Sequence, residues 1–177
     1  AWLAEHAPAT AAWCTDKARL KAARAAVVQA RPDLAHDLSA LRRESIRAVL
    51  AQAGDDPSLA EPAFDVFFAE RQRVTLFDDA LPALRRLSAR FPVVALSNGN
   101  ANLEQVGIAV HFSGAVSARE FGVAKPDARI FHAAAGAAGA APGEVLHVGD
   151  DAHLDGVGAL RAGMQLAWLN RADHAWD

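Results

Sequence analysis

Two hydrophobic rhythms divide the chain near Val74. Before it, apolar residues recur at spacings of three and four, as in Leu34, Leu38, Leu41, Ile46, Val49 and Leu50, the stripe that an amphipathic helix buries on one side. This pattern predicts helices over residues 16–30, 33–53 and 57–73, punctuated by Pro32 and by the Gly54-Asp55-Asp56-Pro57 cluster. After Val74, short apolar runs alternate with helical stretches. Runs at 92–96, 114–116, 145–148 and 165–169 read as buried strands, and helices are predicted over 80–90, 127–136 and 154–162. The Ala/Gly stretch 133–141 reads as a helix ending at Gly136 or Gly139, followed by a turn at Pro142-Gly143. The expected class is α/β, a Rossmann-like parallel sheet with helices on both faces (residues 74–177), preceded by an α-helical unit (residues 1–73).

Composition narrows the class of partner. Of the 177 residues, 52% are hydrophobic and 22% charged, enough apolar surface to offset chain entropy and exclude wholesale disorder. A formal net charge of -3 gives no basic field for a phosphate backbone, so nucleic acid is excluded as the principal partner. No apolar run approaches the ~20 residues of a bilayer span, and the opening AWLAEHAPAT lacks a basic n-region, so neither membrane nor export signal is expected. The single Cys14 cannot staple the fold internally, which points to a reducing compartment, the cytoplasm.

Polar clusters stand where strands end, and ligands of open α/β sheets bind outside the carboxyl ends of strands. Asp150, Asp151 and Asp155 in GDDAHLD bring three carboxylates to a strand end and the first helical turn, a set that favours a hard divalent cation, Mg²⁺. The structural alternative is helix capping, for which aspartate is equally suited. Ser97-Asn98-Gly99-Asn100 offers a hydroxyl, amides and a loosened backbone that could cradle a phosphoryl group, or else form a simple turn. Lys125, stiffened by Pro126, is a cation within possible reach of the same crevice, although single surface lysines are ordinarily just solvated. His147 and His153 read as structural; Phe64, Phe67 and Phe68 read as helix packing. Trp13, Phe67, Phe68 and Arg71 are possible ligand contacts, for which core packing and a solvated charge are the plainer readings.

Taken in order, LSNGN, REFGVAKPDARIF and HVGDDAHLDGVGALRAGM resemble the later three motifs of the haloacid dehalogenase-like hydrolase superfamily, over about residues 74–177. The helices before Val74 are similar to the α-helical cap of one subclass. Within the superfamily the motifs are most similar to bacterial phosphatases acting on flavin mononucleotide and on a phosphorylated pyrimidine intermediate of riboflavin synthesis. The resemblance implies that Ser97 and Asn98 bind the transferring phosphoryl group, that Lys125 neutralises it and the attacking carboxylate, and that Asp150, helped by Asp151, holds Mg²⁺ while Asp155 supports the acidic site. A small phosphorylated metabolite is the implied substrate, hydrolysed through an aspartyl-phosphate.

One family element has no counterpart. Members open with a strand ending in Asp-x-Asp, and this sequence contains no Asp-x-Asp; Asp78-Asp79 is an adjacent pair that does not fit. The expectation is a chain that begins inside the cap, is catalytically incomplete, and has a slot between the strands at 92–96 and 145–148 to be filled by another chain, by direct pairing, or by residues outside this sequence. The alternative function is a non-catalytic pseudoenzyme that binds a phosphorylated ligand or a partner; a receiver-like phosphorylation switch is more remote.

Overall fold

Aspartates set the helix starts and glycines their ends. In the computed structural model, which describes residues 1–176, the chain divides into two compact units, the first ending at Thr75 and the second starting at Leu76. The first is wholly helical: α1 (Trp2–His6), α2 (Pro8–Trp13), α3 (Lys17–Ala30), α4 (Leu38–Ala53) and α5 (Ala60–Arg71). Asp16 caps α3 by accepting the Arg19 N–H, and Asp37 caps α4 by accepting those of Ser39 and Ala40. The chain leaves α4 through Gly54 at φ 90°, a left-handed position that a side chain would strain. Its interior has two small clusters, Ala7, Leu50 and Ala60 in one and Trp13, Ala23 and Val49 in the other.

The predicted helix starts at residues 33 and 57 fall on separate short turns, Pro32–Leu34 and Pro57–Leu59. Each opens on a proline fixed at the first position, and each is followed by a fresh helix start. Helices α1 and α2 lie where no element was predicted; their five and six residues are too few to show a hydrophobic period.

The second unit is the α/β half. It contains α6 (Ala80–Ser88), β1 (Val94–Ser97), α7 (Leu103–Val106), β2 (Gly114–Ser117), α8 (Ala118–Phe121), α9 (Ala128–Ala138), β3 (Leu146–Gly149), a π-helical turn (Ala152–Val157), α10 (Gly158–Arg161) and β4 (Gln165–Trp168). The strands form two parallel pairs: β1 with β2, from Val94 opposite Gly114 to Ser97 opposite Ser117, and β3 with β4, from Leu146 opposite Gln165 to Gly149 opposite Trp168. Among the described residues β1 and β3 are not hydrogen-bonded to each other, so the direct pairing considered from sequence is not made. Nor is β3 buried on both sides as its apolar run suggests: Leu146 and Val148 are 55% and 44% exposed, while His147 points inward.

The core of this unit is built on α9, whose Ile130 and Phe131 are fully buried with Ala118, Ala159, Ala162 and Met164. Leu96, Val116 and Val145 pack against the cluster, so one core steadies both strand pairs. Helix α9 ends at Ala138 with Gly139 at φ 68°, the later of the two predicted ends. A Cβ on Gly158 would stand 2.6 Å from the Phe131 ring and 3.1 Å from Pro126 Cα, closer than side-chain carbons pack. Gly158→Ala is therefore expected to cost about 1–3 kcal/mol, and Phe131→Ala about 3–5 kcal/mol through the cavity it leaves. Urea denaturation of each variant checks both figures; a midpoint unchanged for Phe131→Ala would contradict this account of the core.

Candidate active site

The site is assembled where β1 and β3 end. After Ser97 the chain turns at Asn98, whose side-chain amide grips the backbone of a distant residue at both ends: Nδ2 donates to the Lys125 carbonyl at 3.0 Å, and Oδ1 accepts the Lys125 N–H at 2.8 Å. This reciprocal pair replaces the backbone partners that a loop residue would otherwise lack. The Lys125–Pro126 peptide is cis. With its backbone clamped, Lys125 sends its ammonium to Asp155, with Nζ 2.5 Å from Oδ1. Both side chains are nearly sealed from water, at 12% and 6% exposure.

Asp155 has three donors. Oδ1 also faces His147 Nε2 at 2.9 Å, and Oδ2 accepts the Asp151 N–H at 3.2 Å. An ionised carboxylate only accepts, so the His147 ring carries a proton on Nε2. Its position is fixed from the other side by Phe131, edge to face at 5.1 Å. Burial alone pushes the Asp155 pKa up, but the hydrogen bonds from His147 and Lys125, the lysine's charge and the Asp151 N–H outweigh it and hold the carboxyl well below the usual range. A Cβ on Gly149 would lie 2.3 Å from Asp155 Cγ, so the carboxylate fits only against a bare backbone.

The three acids, grouped from sequence as ligands of one ion, have separate roles here. Asp155 is turned inward onto Lys125 and His147. The Asp151 Oδ1 accepts the N–H groups of His153 and Leu154 and so caps the π-helical turn. Asp150 is exposed at the strand end, its carbonyl held by Trp168 Nε1 at 3.0 Å. Among the described residues no group of three His, Cys, Asp or Glu side chains is arranged to hold a metal. The donor set therefore fits Mg²⁺ only in part, through the Asp150 carboxylate with Asp151 next to it; that is compatible with an ion that keeps most of its waters and takes one or two carboxylates.

The Ser97 hydroxyl accepts the Gly99 N–H at 2.9 Å, which leaves its own proton to donate. The Asn98 side chain, expected from sequence to meet a phosphoryl group, takes part in the Lys125 clamp and keeps one Nδ2 proton besides. Asp79 belongs to neither cluster: it pairs with Arg171 at 2.8 Å.

His147, Gly149 and Trp168 are the contributors that sequence reasoning missed. The signal for His147 was a polar residue in an apolar strand, two positions before a glycine and on the same face. For Trp168, whose ring meets Trp176 edge to face at 5.1 Å, no sequence signal ties the indole to Asp150.

Comparison with known proteins agrees with the layout. The sequence model of one family, described as haloacid dehalogenase-like hydrolase, matches residues 2–163. The chain is 34% identical over 166 residues to the 5-amino-6-(5-phospho-D-ribitylamino)uracil phosphatase YigB of Escherichia coli (strain K12), covering 89% of this chain and 70% of that protein. It is 36% identical over 136 residues to the phosphoserine phosphatase of Thermus thermophilus, covering 73% of this chain and 55% of the relative. Among solved structures, the 2-haloacid dehalogenase of Pseudomonas syringae pv. Tomato DC3000 superposes with a TM-score of 0.80 at 32% identity, covering 97% of this chain and 84% of that one.

Removing the Asp155 charge leaves the Lys125 ammonium buried without its partner, so Asp155→Asn is expected to cost about 3–5 kcal/mol at pH 7. A carboxyl whose pKa is lowered by folding stabilises above the unfolded value of about 3.9 and loses that stabilisation as pH falls toward the folded value. The gap between wild type and Asp155→Asn should therefore be constant above about pH 5 and narrow below pH 4. Urea titrations at pH 7 and pH 3 read it directly, and a gap independent of pH would contradict the ion-pair account. Gly149→Ala, which pushes Asp155 out of place, is expected to lower stability by about 1–3 kcal/mol at pH 7, measured in the same titrations.

Proposed function

This chain belongs to the haloacid dehalogenase-like hydrolase family, and from that premise we propose that its activity is Mg²⁺-dependent hydrolysis of small phosphomonoesters. The observation that carries the reading is the lysine held at the strand ends. Lys125 is fixed at its backbone by Asn98 and at its ammonium by Asp155. An ammonium has three protons, and Asp155 takes one, leaving two for an oxyanion. The Ser97 hydroxyl supplies a further donor. Such donors, set in place before the reaction, stabilise charge that develops on the phosphoryl oxygens without reorganising.

Asp150 is the residue we assign to Mg²⁺, with Asp151 as its neighbour; the ion would polarise the phosphoryl oxygen when bound. Asp155 positions Lys125 and stays off the metal. No Asp-x-Asp occurs in the sequence, so we assign the attacking carboxylate and the general acid to a segment outside these 177 residues. In the proposed reaction the carboxylate forms a bond to phosphorus as the ester P–O bond breaks. The alcohol leaves with a proton from the second acid, and water then cleaves the aspartyl-phosphate.

The relatives named for a phosphorylated ribitylaminouracil and for phosphoserine support a small phosphorylated metabolite, with a riboflavin-pathway phosphate or flavin mononucleotide as the first compounds to try. The helical unit would act as the cap. The single cysteine, unpaired in the structure, is compatible with the cytoplasm. Among the described residues no helix is long and apolar enough to cross a membrane.

The likeness to a 2-haloacid dehalogenase favours a second reading, displacement of halide from a 2-haloacid. The two are separated by assay of a polypeptide carrying the upstream coding sequence. It is expected to hydrolyse p-nitrophenyl phosphate with Mg²⁺ and to lose about 10²–10³-fold in kcat/KM on Asp150→Ala. The 177-residue chain alone should be slower by about 10⁴–10⁶-fold, the cost of a missing nucleophile in other covalent enzymes. Full activity in Asp150→Ala, or chloride release from 2-chloropropionate with p-nitrophenyl phosphate left intact, would overturn the phosphatase assignment.

A further inference from the structure

We infer that the helical unit contains a binding pocket of its own for a small organic oxyanion carried on an apolar or aromatic body. A cavity of about 320 Å³ opens among α1, α2, α3, α4 and α5, with Trp2, Ile46 and Phe67 in its apolar wall. That volume lies at the lower end of the range of roughly 300–1,000 Å³ typical of small-molecule sites. The cavity lining also includes Thr10, Arg24, Arg42 and Ser45, the last with its hydroxyl already donated to the Leu41 carbonyl.

Two of these, Thr10 and Arg42, are unusual in a way that an anion would relieve. Thr10 is 2% exposed, and although its backbone N–H donates to Asp55 at 2.6 Å, its Oγ1 is buried with no hydrogen-bond partner. Buried hydroxyls are almost always satisfied, so an orphan lining a cavity points to a ligand atom. Helix α4 carries three arginines, and two of them are neutralised: Arg43 Nε is 2.8 Å and Arg47 3.1 Å from Glu61, and Arg47 also pairs with Glu44. Arg42 has no such carboxylate within 4.0 Å among the described residues. It lies over the Phe67 ring at 4.6 Å, partly withdrawn from water and repelled by Arg24, both of which lower its pKa.

A partly desolvated Arg42 beside a second cation, at the edge of an apolar cavity, is costly without a counter-charge. A carboxylate or phosphate between them would take donors from both, and a hydroxyl donor from Thr10, while its body covers Phe67 and Trp2. Stacked on Phe67, the planar guanidinium keeps its fork of N–H donors for a carboxylate or phosphate.

The inference is independent of the phosphatase reading, because its test reads binding and not turnover. Calorimetric titration of the 177-residue chain with 1-naphthylacetate and with its neutral isostere 1-naphthylacetamide compares one apolar body with and without the charge; 1-naphthyl phosphate tests the other oxyanion. The acid is expected to bind at least about tenfold more tightly than the amide, and Arg42→Gln or Arg24→Gln to remove that preference while Arg42→Lys keeps part of it. Arg24 is exposed, so its variant remains folded if Arg42→Gln does not. Cys14, the only cysteine, lines the same cavity, and 1-naphthylacetate should slow its alkylation by iodoacetamide several-fold in the wild type and not in the arginine variants. Equal affinity for acid and amide, or an acid preference and Cys14 protection that survive both glutamine substitutions, would overturn the pocket. Tight binding of 1-naphthyl phosphate with weak binding of 1-naphthylacetate would keep the pocket and assign the head group to phosphate.

Discussion

A single buried carboxylate holds the candidate site together. Asp155 accepts from Lys125, His147 and the Asp151 backbone, one donor from a distant loop and two from the strand and turn that lead into it. A charge in this position is tolerable only because each donor is present; remove one and the others face an uncompensated burial. The constraint propagates outward. Lys125 must approach from its loop, and Asn98 clamps that loop through both ends of its amide. Position 149 can have no side chain, and Phe131 must support the His147 ring while also anchoring the core.

The α/β half was legible because its strand-forming runs are short, apolar and bounded by polar clusters, and those clusters carry the family motifs. Ser97 and Asp150 could be placed at strand ends, and Lys125 on a loop before a helix, from sequence alone. What could not be read was direction. Leu146 and Val148 belong to a run that looks buried throughout, yet the pleat turns them to the exposed side of β3. In the helical half, a capping aspartate was recognisable as a residue type but not as a position. Asp33 and Asp37 both suit a helix start, and the proline-opened turn at Pro32–Leu34 lies before the real one. Cation placement on α4 was equally hidden, since Arg42, Arg43 and Arg47 differ only in what the neighbouring helices bring to them.

Each unit has one cation in an unusual setting. In the α/β half Lys125 is matched with a buried acid, Asp155, which fixes its position and leaves spare protons. In the helical half Arg43 and Arg47 share Glu61 near the surface, where such pairs contribute little stability, while Arg42 lines an apolar cavity with no carboxylate within 4.0 Å among the described residues. What surrounds each cation separates them, and a census of charge alone would treat these groups as equivalent.

The three aspartates of GDDAHLD make the same point in one short segment. Asp150 follows the last strand residue and faces outward; Asp151 has the extended backbone of an N-cap and turns its oxygen onto the next amides; Asp155 lies inside the widened π-helical turn, which returns it over Gly149. Backbone position, and not residue type, decides which carboxylate can exchange partners. Asp155 cannot leave Lys125 without exposing a buried charge, and Asp151 cannot leave its amides without uncapping the turn. Asp150 loses nothing by taking a cation, so among the three it is the one whose charge is available to a ligand that arrives from solvent.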